Sequence, residues 1–541
     1  MGQVVDLSDP VTIYDASGRV IPGADVRLRA REQTKALLGF SRGIGYGGGG
    51  YAGASSGKRS LRNFNPLADS ADGDTLNDLS SLRGRSRDLH RNSPLATGAI
   101  EGPVTSVVGA GLQLMSVPDQ EFLGLTETEA KRWRDDAERI FRCQAARLDI
   151  TREQHFDEMQ ELVFRTALLS GDAFTIRRHR EYPGDIVAVK LQTVEADRCN
   201  TPIDKEGDPF IVDGVGRDLE GAPVRYFFSN RHPQQTFSKL DEQVPEWKEV
   251  PAFGETGRLV LHHFGRIRPG QTRGVPYLAP VIESLKQLDR YSEAELMAAV
   301  VSAYFTVFVK TETAQGMANE TAIAGTTGDP TSINSPARDL KLGPAAVLDL
   351  LPNEDITLAN PQRPNTAYEP FVEAIEKHIG VALEQPREVL TKLFTTSYSA
   401  ARAAILEAWR FYRKRRAWLV RTYCQPVYAW VIEDAIADGL LRAPGFFESP
   451  LVRDAYLRAM WRGPAQGQID PVKESRMWQA LAEMGTTSLT EITAETTGAD
   501  FRTVQSQRAR DAATLAEHGV SSTVDPIPDD EVDPPVREGD A

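Results

Sequence analysis

Cysteine is scarce in this chain, and its scarcity argues against two kinds of scaffold. The 541 residues hold three cysteines, Cys143, Cys199 and Cys424, which lie too far apart in sequence for a disulfide framework or a zinc site. We therefore expect reduced thiols, with no metal and no cofactor. A long hydrophobic run is also missing. The longest uncharged stretch, 296–309, is shorter than the about 18 apolar residues that indicate a membrane span, so no membrane partner is predicted.

Basic residues are outnumbered as well. The chain has 62 Lys and Arg against 76 Asp and Glu, which gives a formal net charge of −14. Proteins that grip duplex DNA neutralise its phosphates with basic side chains, so we do not expect tight DNA binding by the chain as a whole. Transient or sliding contact is compatible with this balance. The 41% hydrophobic and 26% charged composition is typical of a globular protein, and the length predicts about three or four domains or sub-domains.

The motifs of common enzymes are absent or out of context. The chain has no GxxxxGK[ST] phosphate loop, no HExxH and no GxSxG. Residues 43–48 (GIGYGG) fit the GxGxxG pattern, but a dinucleotide site also needs a strand before it and a helix after it. The Gly-rich surroundings favour a flexible arm. His262 and His263 are adjacent in a strand pattern, so their side chains should point to opposite faces and not share a metal. We predict a protein that is not an enzyme.

Hydrophobic periodicity predicts an α+β protein. Two helices should begin at capping boxes, one formed by Thr126 and Glu129 and the other by Thr151 and Gln154. Short strands rich in β-branched and aromatic residues are predicted between 171 and 264. Helices are predicted again beyond this β-rich region.

The longest helical pattern covers 399–438 and contains Pro426, which should kink the helix because proline donates no hydrogen bond. Its basic residues alternate with aromatic ones. Such a helix could contact nucleic acid, but a solvated or subunit-facing surface beside an apolar packing face is the favoured interpretation. The basic candidates are Arg410, Arg413, Lys414 and Arg416.

Several segments, in order along the chain, resemble lambda-type phage portal proteins. They extend from about 90 to 510. Each segment alone is weak evidence, but all of them follow one another in the family's order, which is highly specific for the family. The segments are RNSPLATGAIEGPVTSVVGAGLQL (91–114), SGDAF (170–174), LQTVEADRCNTP (191–202), RIRPGQTRGVPYLAPVIESLKQLDRYSEAEL (266–296), SYSAARAAILEAWRFYRKRR (397–416) and WRGPAQGQIDPVKE (461–474).

The resemblance implies a portal fold with a helical stem, a long kinked wing helix, a β-rich wing sub-domain, a small α/β clip and a helical crown. It assigns 81–275 to the wing, 276–303 to a stem helix, 304–364 to the clip, 365–384 to a second stem helix, 385–398 to a tunnel loop, 399–469 to the long helix and the wing remainder, and 470–518 to the crown. Composition, rather than the resemblance, predicts a flexible Gly-rich arm over 1–80 and a disordered acidic tail over 519–541.

The resemblance also implies a function. Portal proteins form a ring, expected here to be a dodecamer, through which double-stranded DNA is packaged and ejected at one capsid vertex. The implied partners are the terminase large subunit, the major capsid protein and the head-tail connector, in the virion and, during assembly, in the host cytoplasm. In the tunnel loop the candidates for contact with DNA are Arg387, Lys392, Thr395 and Thr396; the alternative is an ordinary exposed loop with solvated charges.

Two other functions stay open at this point. A nuclease acting on the same DNA would need a cluster of carboxylates that binds two metal ions, and no recognisable motif of that kind is present. A minor capsid or scaffolding protein without a channel would share the interactions but would not form a ring.

Overall fold

The computed structural model describes residues 58–66, 68–234, 246–255, 257–303, 367–394, 397–467 and 471–518, together with residue 53 and the backbone of short strands at 13–14, 20–21, 307–311 and 354–358. The chain divides into two units, Met1–Asp69 and Ser70–Ala541. In the first unit, strands β1 (Ile13–Tyr14) and β2 (Val20–Ile21) pair antiparallel.

Most of the second unit is helical. Its helices are α1 (Ala71–Asn92), α2 (Pro94–Val107), α3 (Gln120–Leu123), α4 (Glu127–Ala145), α5 (Phe156–Ser170), α6 (Ile282–Ala303), α7 (Tyr368–Ala382), α8 (Arg387–Thr391), α9 (Tyr398–Leu419), α10 (Gln425–Ala437), α11 (Pro450–Leu457), α12 (Pro471–Glu483), α13 (Leu489–Thr497) and α14 (Phe501–Glu517). No helix in the described ranges is both long enough and apolar enough to cross a bilayer.

The strands of the second unit form small antiparallel sheets. They are β3 (Gln113–Ser116), β4 (Asp172–His179), β5 (Val189–Glu195), β6 (Ile211–Val212), β7 (Val215–Arg217), β8 (Pro223–Ser229), β9 (Trp247–Pro251), β10 (Phe253–Gly254), β11 (Gly257–Arg258), β12 (Val260–Phe264), β13 (Val307–Thr311), β14 (Glu354–Leu358) and β15 (Ala459–Arg462). The two largest sheets have the strand orders β12-β4-β5 and β6-β7-β8-β9. The predicted α+β class is confirmed.

Two hydrophobic cores hold the second unit together. The larger core lies among α2, α4, α5, α9 and α10 and includes Ile100, Phe141, Phe164 and Tyr428, all buried. The smaller core lies between the two largest sheets and is dominated by aromatic and β-branched side chains: Phe174, Ile176, Val194, Val215, Tyr226, Phe228, Val250 and Val260.

The long helix is the central element of the larger core. It runs through α9, a π-helical turn at Val420–Cys424 and α10, which confirms the long helix predicted from the sequence. Pro426 is the second residue of α10, which begins directly after the π turn, and its missing N–H and bulky ring disfavour regular α-helical bonding there. The disturbance predicted at Pro426 therefore takes the form of a π turn. Gly439, with a positive φ of 74°, follows the end of α10.

Several sequence-based boundaries need correction. Helix α1 begins at Ala71, inside the segment assigned to the arm, because the Ser70 hydroxyl caps it and Ala71 and Leu79 are buried. The helix predicted from 276 begins at Ile282. The connection 385–398 is not loop throughout, since it contains α8. Of the segment 304–364, the structure describes the paired strands β13 and β14.

One of the two predicted capping boxes is confirmed and the other is wrong. Thr126 and Glu129 cap α4 as expected. Thr151 does not begin a helix, because the Asp149 carboxylate accepts hydrogen bonds from the Thr151 and Glu153 amides and closes a tight turn. Helix α5 begins four residues later, and His155 is its capping residue.

Candidate functional site

The segment between α7 and α9 has an anchored base. The Gln385 side chain is 3% exposed, and its amide nitrogen donates to the Ala99 carbonyl oxygen at 3.0 Å and to the Tyr277 hydroxyl at 3.0 Å. The Tyr277 hydroxyl in turn donates to the carbonyl oxygen of Leu383. Leu390 of α8 is buried against the main core. The first half of the segment is therefore fixed to the body of the unit.

Two left-handed residues bound the short helix α8. Glu384 has φ 53° and Lys392 has φ 57°, and the Lys392 amide donates back to the Glu388 carbonyl to close the helix end. The turn before α8 folds closely over Gly380, where an added Cβ would lie 2.5 Å from the Gln385 carbonyl oxygen. Glycine is required there because the two backbone segments are almost in contact.

Arg387 is paired with two carboxylates of α7. Its Nε lies 3.0 Å from Glu376 Oε2, and its Nη1 lies 3.0 Å from Glu373 Oε1. The hydrogen bond to Glu376 raises the pKa of Arg387 above its ordinary value. The Arg387 side chain is 18% exposed. Its charge is thus balanced locally, and its evident role is to hold α8 against α7.

Lys392 is different from Arg387. It is exposed, and within the described residues it has no carboxylate at salt-bridge distance. The next two residues, Leu393 and Phe394, are 49% and 46% exposed. Thr395 and Thr396 lie outside the described residues. We call 392–396 the tip of this segment. Its described residues therefore present one cation and two apolar side chains.

The four basic candidates on α9 have separate partners. Arg410 pairs with Glu407 at 2.9 Å, Arg413 with Glu495 at 2.7 Å, and Lys414 with Glu384 at 3.4 Å. Arg416 donates to the backbone carbonyl oxygens of Val107, Ser106 and Pro464. The structure does not bring these four side chains together into one cluster directed at a single partner.

A buried ion cluster, which sequence reasoning missed, joins α1, β4 and the loop after β12. Asp172 at the start of β4 bonds with Arg83 of α1 at 2.9 Å and with Arg273 at 2.6 Å. Arg273 also bonds with Asp213 at 2.9 Å and with the carbonyl oxygens of Ala196 and Cys199. Burial alone would raise the pKa of Asp172, but the two guanidinium groups hold it well below its ordinary value. Burial would likewise lower the pKa of Arg273, but the carboxylates raise it.

Two glycines let the strands of this cluster approach each other. An added Cβ on Gly274 would lie 2.0 Å from the Gly171 carbonyl oxygen, and one on Gly171 would lie 2.3 Å from the Gly274 carbonyl oxygen. These glycines flank the ion pair of Asp172 and Arg273. The segments SGDAF and RPGQTRG therefore meet in the fold, which gives a structural reason for two of the resemblances.

One group of side chains in the described part of the chain could approach a metal ion. Glu195, Asp197 and His232 have ligand atoms within 4.8 Å of one another. The Arg87 guanidinium, however, bonds with both carboxylates, at 3.1 Å to Glu195 and more closely to Asp197. The Arg83 guanidinium also lies 3.7 Å from Asp197. The two arginines together balance the two carboxylates, so the group does not fit a divalent ion.

Comparison with known proteins gives a family. The sequence matches the family model described as "Phage portal protein, lambda family" over residues 57–416. It is 25% identical over 498 residues to the portal protein of Escherichia phage N15, covering 88% of this chain and 91% of that protein. It is also 25% identical over 487 residues to portal protein B of Escherichia phage lambda, covering 85% and 89%. Among solved structures, a chain from the virion of a native gene transfer agent particle has 13% identity and a TM-score of 0.40, with 77% of this chain and 92% of that chain covered.

Proposed function

The chain belongs to the lambda family of phage portal proteins, and we propose that its copies form a dodecameric ring at one capsid vertex. Double-stranded DNA passes through this ring during packaging and ejection. The observation that carries the proposal is the family match over 57–416, which includes α6, α7 and most of α9. The proposed mechanism is mechanical, since DNA must pass the ring without being held.

Exposed apolar residues on α6 support assembly. Leu296, Met297 and Val300 are 64%, 57% and 43% exposed, and they share one face of the helix. An aromatic contact joins α6 to α7, since the rings of Tyr291 and Tyr368 stack at 5.4 Å. The exposed face of α6 thus lies outside the pairing of these two helices. An apolar face of this kind is expected to be covered in an assembly.

We propose the family's division of the chain for this ring. Helices α6 and α7 form the stem, strands β13 and β14 belong to the clip, and α12, α13 and α14 form the crown. The elements of 81–275 and 399–469 form the wing. The proposed partners are the terminase large subunit during packaging, then the head-tail connector, with the major capsid protein around the ring. Assembly takes place in the host cytoplasm, and the finished ring lies in the virion.

We propose that the tip of the segment 385–398 faces the channel. Lys392 supplies a charge that no described carboxylate neutralises, and Leu393 and Phe394 supply surfaces that cannot bind phosphate. Thr395 and Thr396 belong to the same tip. Arg387 acts as a positioning residue, because both of its ion pairs are with α7. A tip with few charges repeated around a ring restrains DNA weakly, which suits passage.

Ring formation is tested by mass measurement and electron microscopy of the purified chain. We expect closed rings with a central hole, and a double substitution, Met297→Glu with Val300→Glu, should prevent closure by placing charge on the apolar face of α6. Leu219→Glu is the matched control, since Leu219 is 83% exposed in a loop of the wing. Monomers or dimers under several salt conditions would contradict the proposal. If the chain is a capsid component but forms no ring, the scaffolding function is indicated. If it cleaves DNA in a metal-dependent reaction that is lost when one of its carboxylates is substituted, the nuclease is indicated.

A further inference from the structure

A large cavity of the second unit lies between the β-rich wing and the long helix. Its volume is about 790 Å³, which is within the range of binding sites for ligands of moderate size. One wall is formed by β7, β8, β11 and β12, and the other by α9 and the π turn. The lining contains basic side chains from both walls, and we call this cavity the basic groove: Arg217, Arg258, Arg266, Lys414, Arg415 and Arg421.

The charge of the basic groove is poorly balanced. Its one acidic lining residue is Glu384, which pairs with Lys414 at 3.4 Å. Within the described residues, none of the five arginines has a carboxylate at salt-bridge distance. This contrasts with the net charge of −14 of the chain. A concentration of unpaired guanidinium groups in an acidic protein is a site for an anionic partner.

Two buried arginine nitrogen atoms indicate that a partner enters the groove. The Nε atoms of Arg217 and Arg415 are buried and have no hydrogen-bond acceptor in the described structure. Leaving such donors unsatisfied costs free energy. A rigid duplex lying across the opening would reach the exposed arginines, Arg258 and Arg266, but not these buried atoms. A single phosphate ion would occupy only a small part of the volume.

The lining also has apolar area suited to a peptide. Tyr226, Phe264, Tyr277 and Trp418 lie between the arginines. Arg415 already stacks on Tyr277 at 5.7 Å, and Arg266 on Phe264 at 5.7 Å. Alternating guanidinium and aromatic surfaces match an extended acidic chain that contains apolar residues.

The chain itself contains such a segment. Residues 529–533 read DDEVD, four carboxylates around one valine, and prolines precede and follow them in 524–541. Prolines favour an extended conformation that loses little entropy on binding. The segment is also close in sequence to the end of α14: eleven residues, 518–528, separate Glu517 from Asp529, and this connection can span up to about 40 Å.

The crown helices are attached to the same helix that lines the groove. Arg413, next to Lys414 in α9, bonds with Glu495 of α13 at 2.7 Å. Asp500, which caps α14, bonds with Arg462 at 3.0 Å. We infer that the acidic segment 529–533 of this chain docks into the basic groove and pairs with its arginines.

The test uses the full chain with a fluorophore near its C-terminus. Cys143, the exposed cysteine, is replaced by serine, and Ala541→Cys carries the label, because Cys199 and Cys424 are buried. Time-resolved anisotropy then reports whether the tail tumbles with the body of the protein. We expect a slow component that is lost when Arg258→Glu and Arg266→Glu are combined, when the four carboxylates of 529–533 are changed to amides, and when ionic strength is raised.

The matched control reverses two exposed arginines elsewhere. Arg132 and Arg139 of α4 are 86% and 71% exposed, so Arg132→Glu with Arg139→Glu makes the same change in net charge and should preserve the slow component. Unchanged thermal unfolding of both double variants shows that each is folded. The inference is wrong if the groove variant retains the slow component, if the control loses it equally, or if the amide-substituted tail stays bound. Because the readout does not depend on ring formation, it is separate from the proposed function.

Discussion

Arg273 Nε and Asp172 Oδ2 lie 2.6 Å apart, and both side chains are completely buried. The pair joins the loop after β12 to the first residue of β4, and Arg83 brings α1 to the same carboxylate. Buried ion pairs are costly to form, but the loss of one partner leaves a charge that is neither paired nor hydrated. The loss of Asp172 is therefore expected to reduce the stability of the unit more than the loss of any exposed ion pair.

The first prediction concerns that pair. Asp172→Asn should lower the free energy of unfolding by about 3–5 kcal/mol, because two buried guanidinium groups lose their shared anion. Asp136→Asn is the control, since Asp136 makes an exposed pair with Arg139 at 3.2 Å, and its loss should cost less than about 1 kcal/mol. Urea unfolding followed by tryptophan fluorescence measures both. Equal effects for the two variants would contradict the structural role given to Asp172.

The second prediction concerns acid stability. Burial lowers the pKa of His262 to about 4 and that of His263 to about 3, whereas an unfolded histidine titrates near 6.5. As the pH falls below about 6.5, the unfolded chain takes up protons that the folded chain does not, so stability must decrease toward pH 4. His263→Gln should make this decrease shallower. Unfolding midpoints at a series of pH values test this, and parallel curves for wild type and variant would refute it.

The third prediction compares two glycines. Gly274→Ala should destabilise the second unit strongly, because the new Cβ would lie 2.0 Å from a backbone oxygen. Gly84→Ala should instead stabilise α1 by about 1 kcal/mol, because alanine is the better helix former and an added Cβ at Gly84 has no atom within 4 Å. Thermal unfolding of the two variants gives opposite shifts. A tolerated Gly274→Ala would mean that the two backbones can separate without loss.

The fourth prediction rests on the proposed function. Lys392→Ala should leave ring size and yield unchanged, since Lys392 is exposed, while DNA packaging or retention falls. Arg387→Ala should act differently, because it releases α8 from Glu373 and Glu376, and protease sensitivity within 385–398 should increase. Lys248→Ala, an exposed lysine in β9, is the control for loss of a charge. Normal packaging by Lys392→Ala rings would remove Lys392 from the channel-facing tip.

Local signals in the sequence were sufficient for much of the fold. The capping box at Thr126, the long helix ending before Gly439, and the β-rich stretch from 171 all depend on neighbours within a few residues. Thr151 shows the limit of such reasoning. Its spacing from Gln154 fits a capping box, but the nearby Asp149 carboxylate accepts the backbone amides instead. A rule based on spacing alone does not compare these two possible acceptors.

The candidate site depended on contacts that no local pattern contains. Arg387 appears in the sequence as a charge in a polar connection, but its partners lie 11 and 14 residues earlier on another helix. Arg273 and Asp172 are 101 residues apart, and no local sequence pattern at either position predicts that the side chain is buried. The basic groove likewise combines strands and a helix far apart in sequence, so its excess charge becomes visible only when the chain is folded.

The π turn at Val420–Cys424 fixes the rotational phase of everything that follows it. Each residue of an α-helix advances the chain by about 100° and 1.5 Å. Removing one residue from the turn would allow uniform α-helical bonding, but it would rotate α10 by that angle relative to α9. Val427, Tyr428 and Val431, all fully buried now, would turn away from the core. Substitutions in this helix leave the phase of α10 unchanged, whereas the insertion or deletion of a single residue in the π turn would alter it.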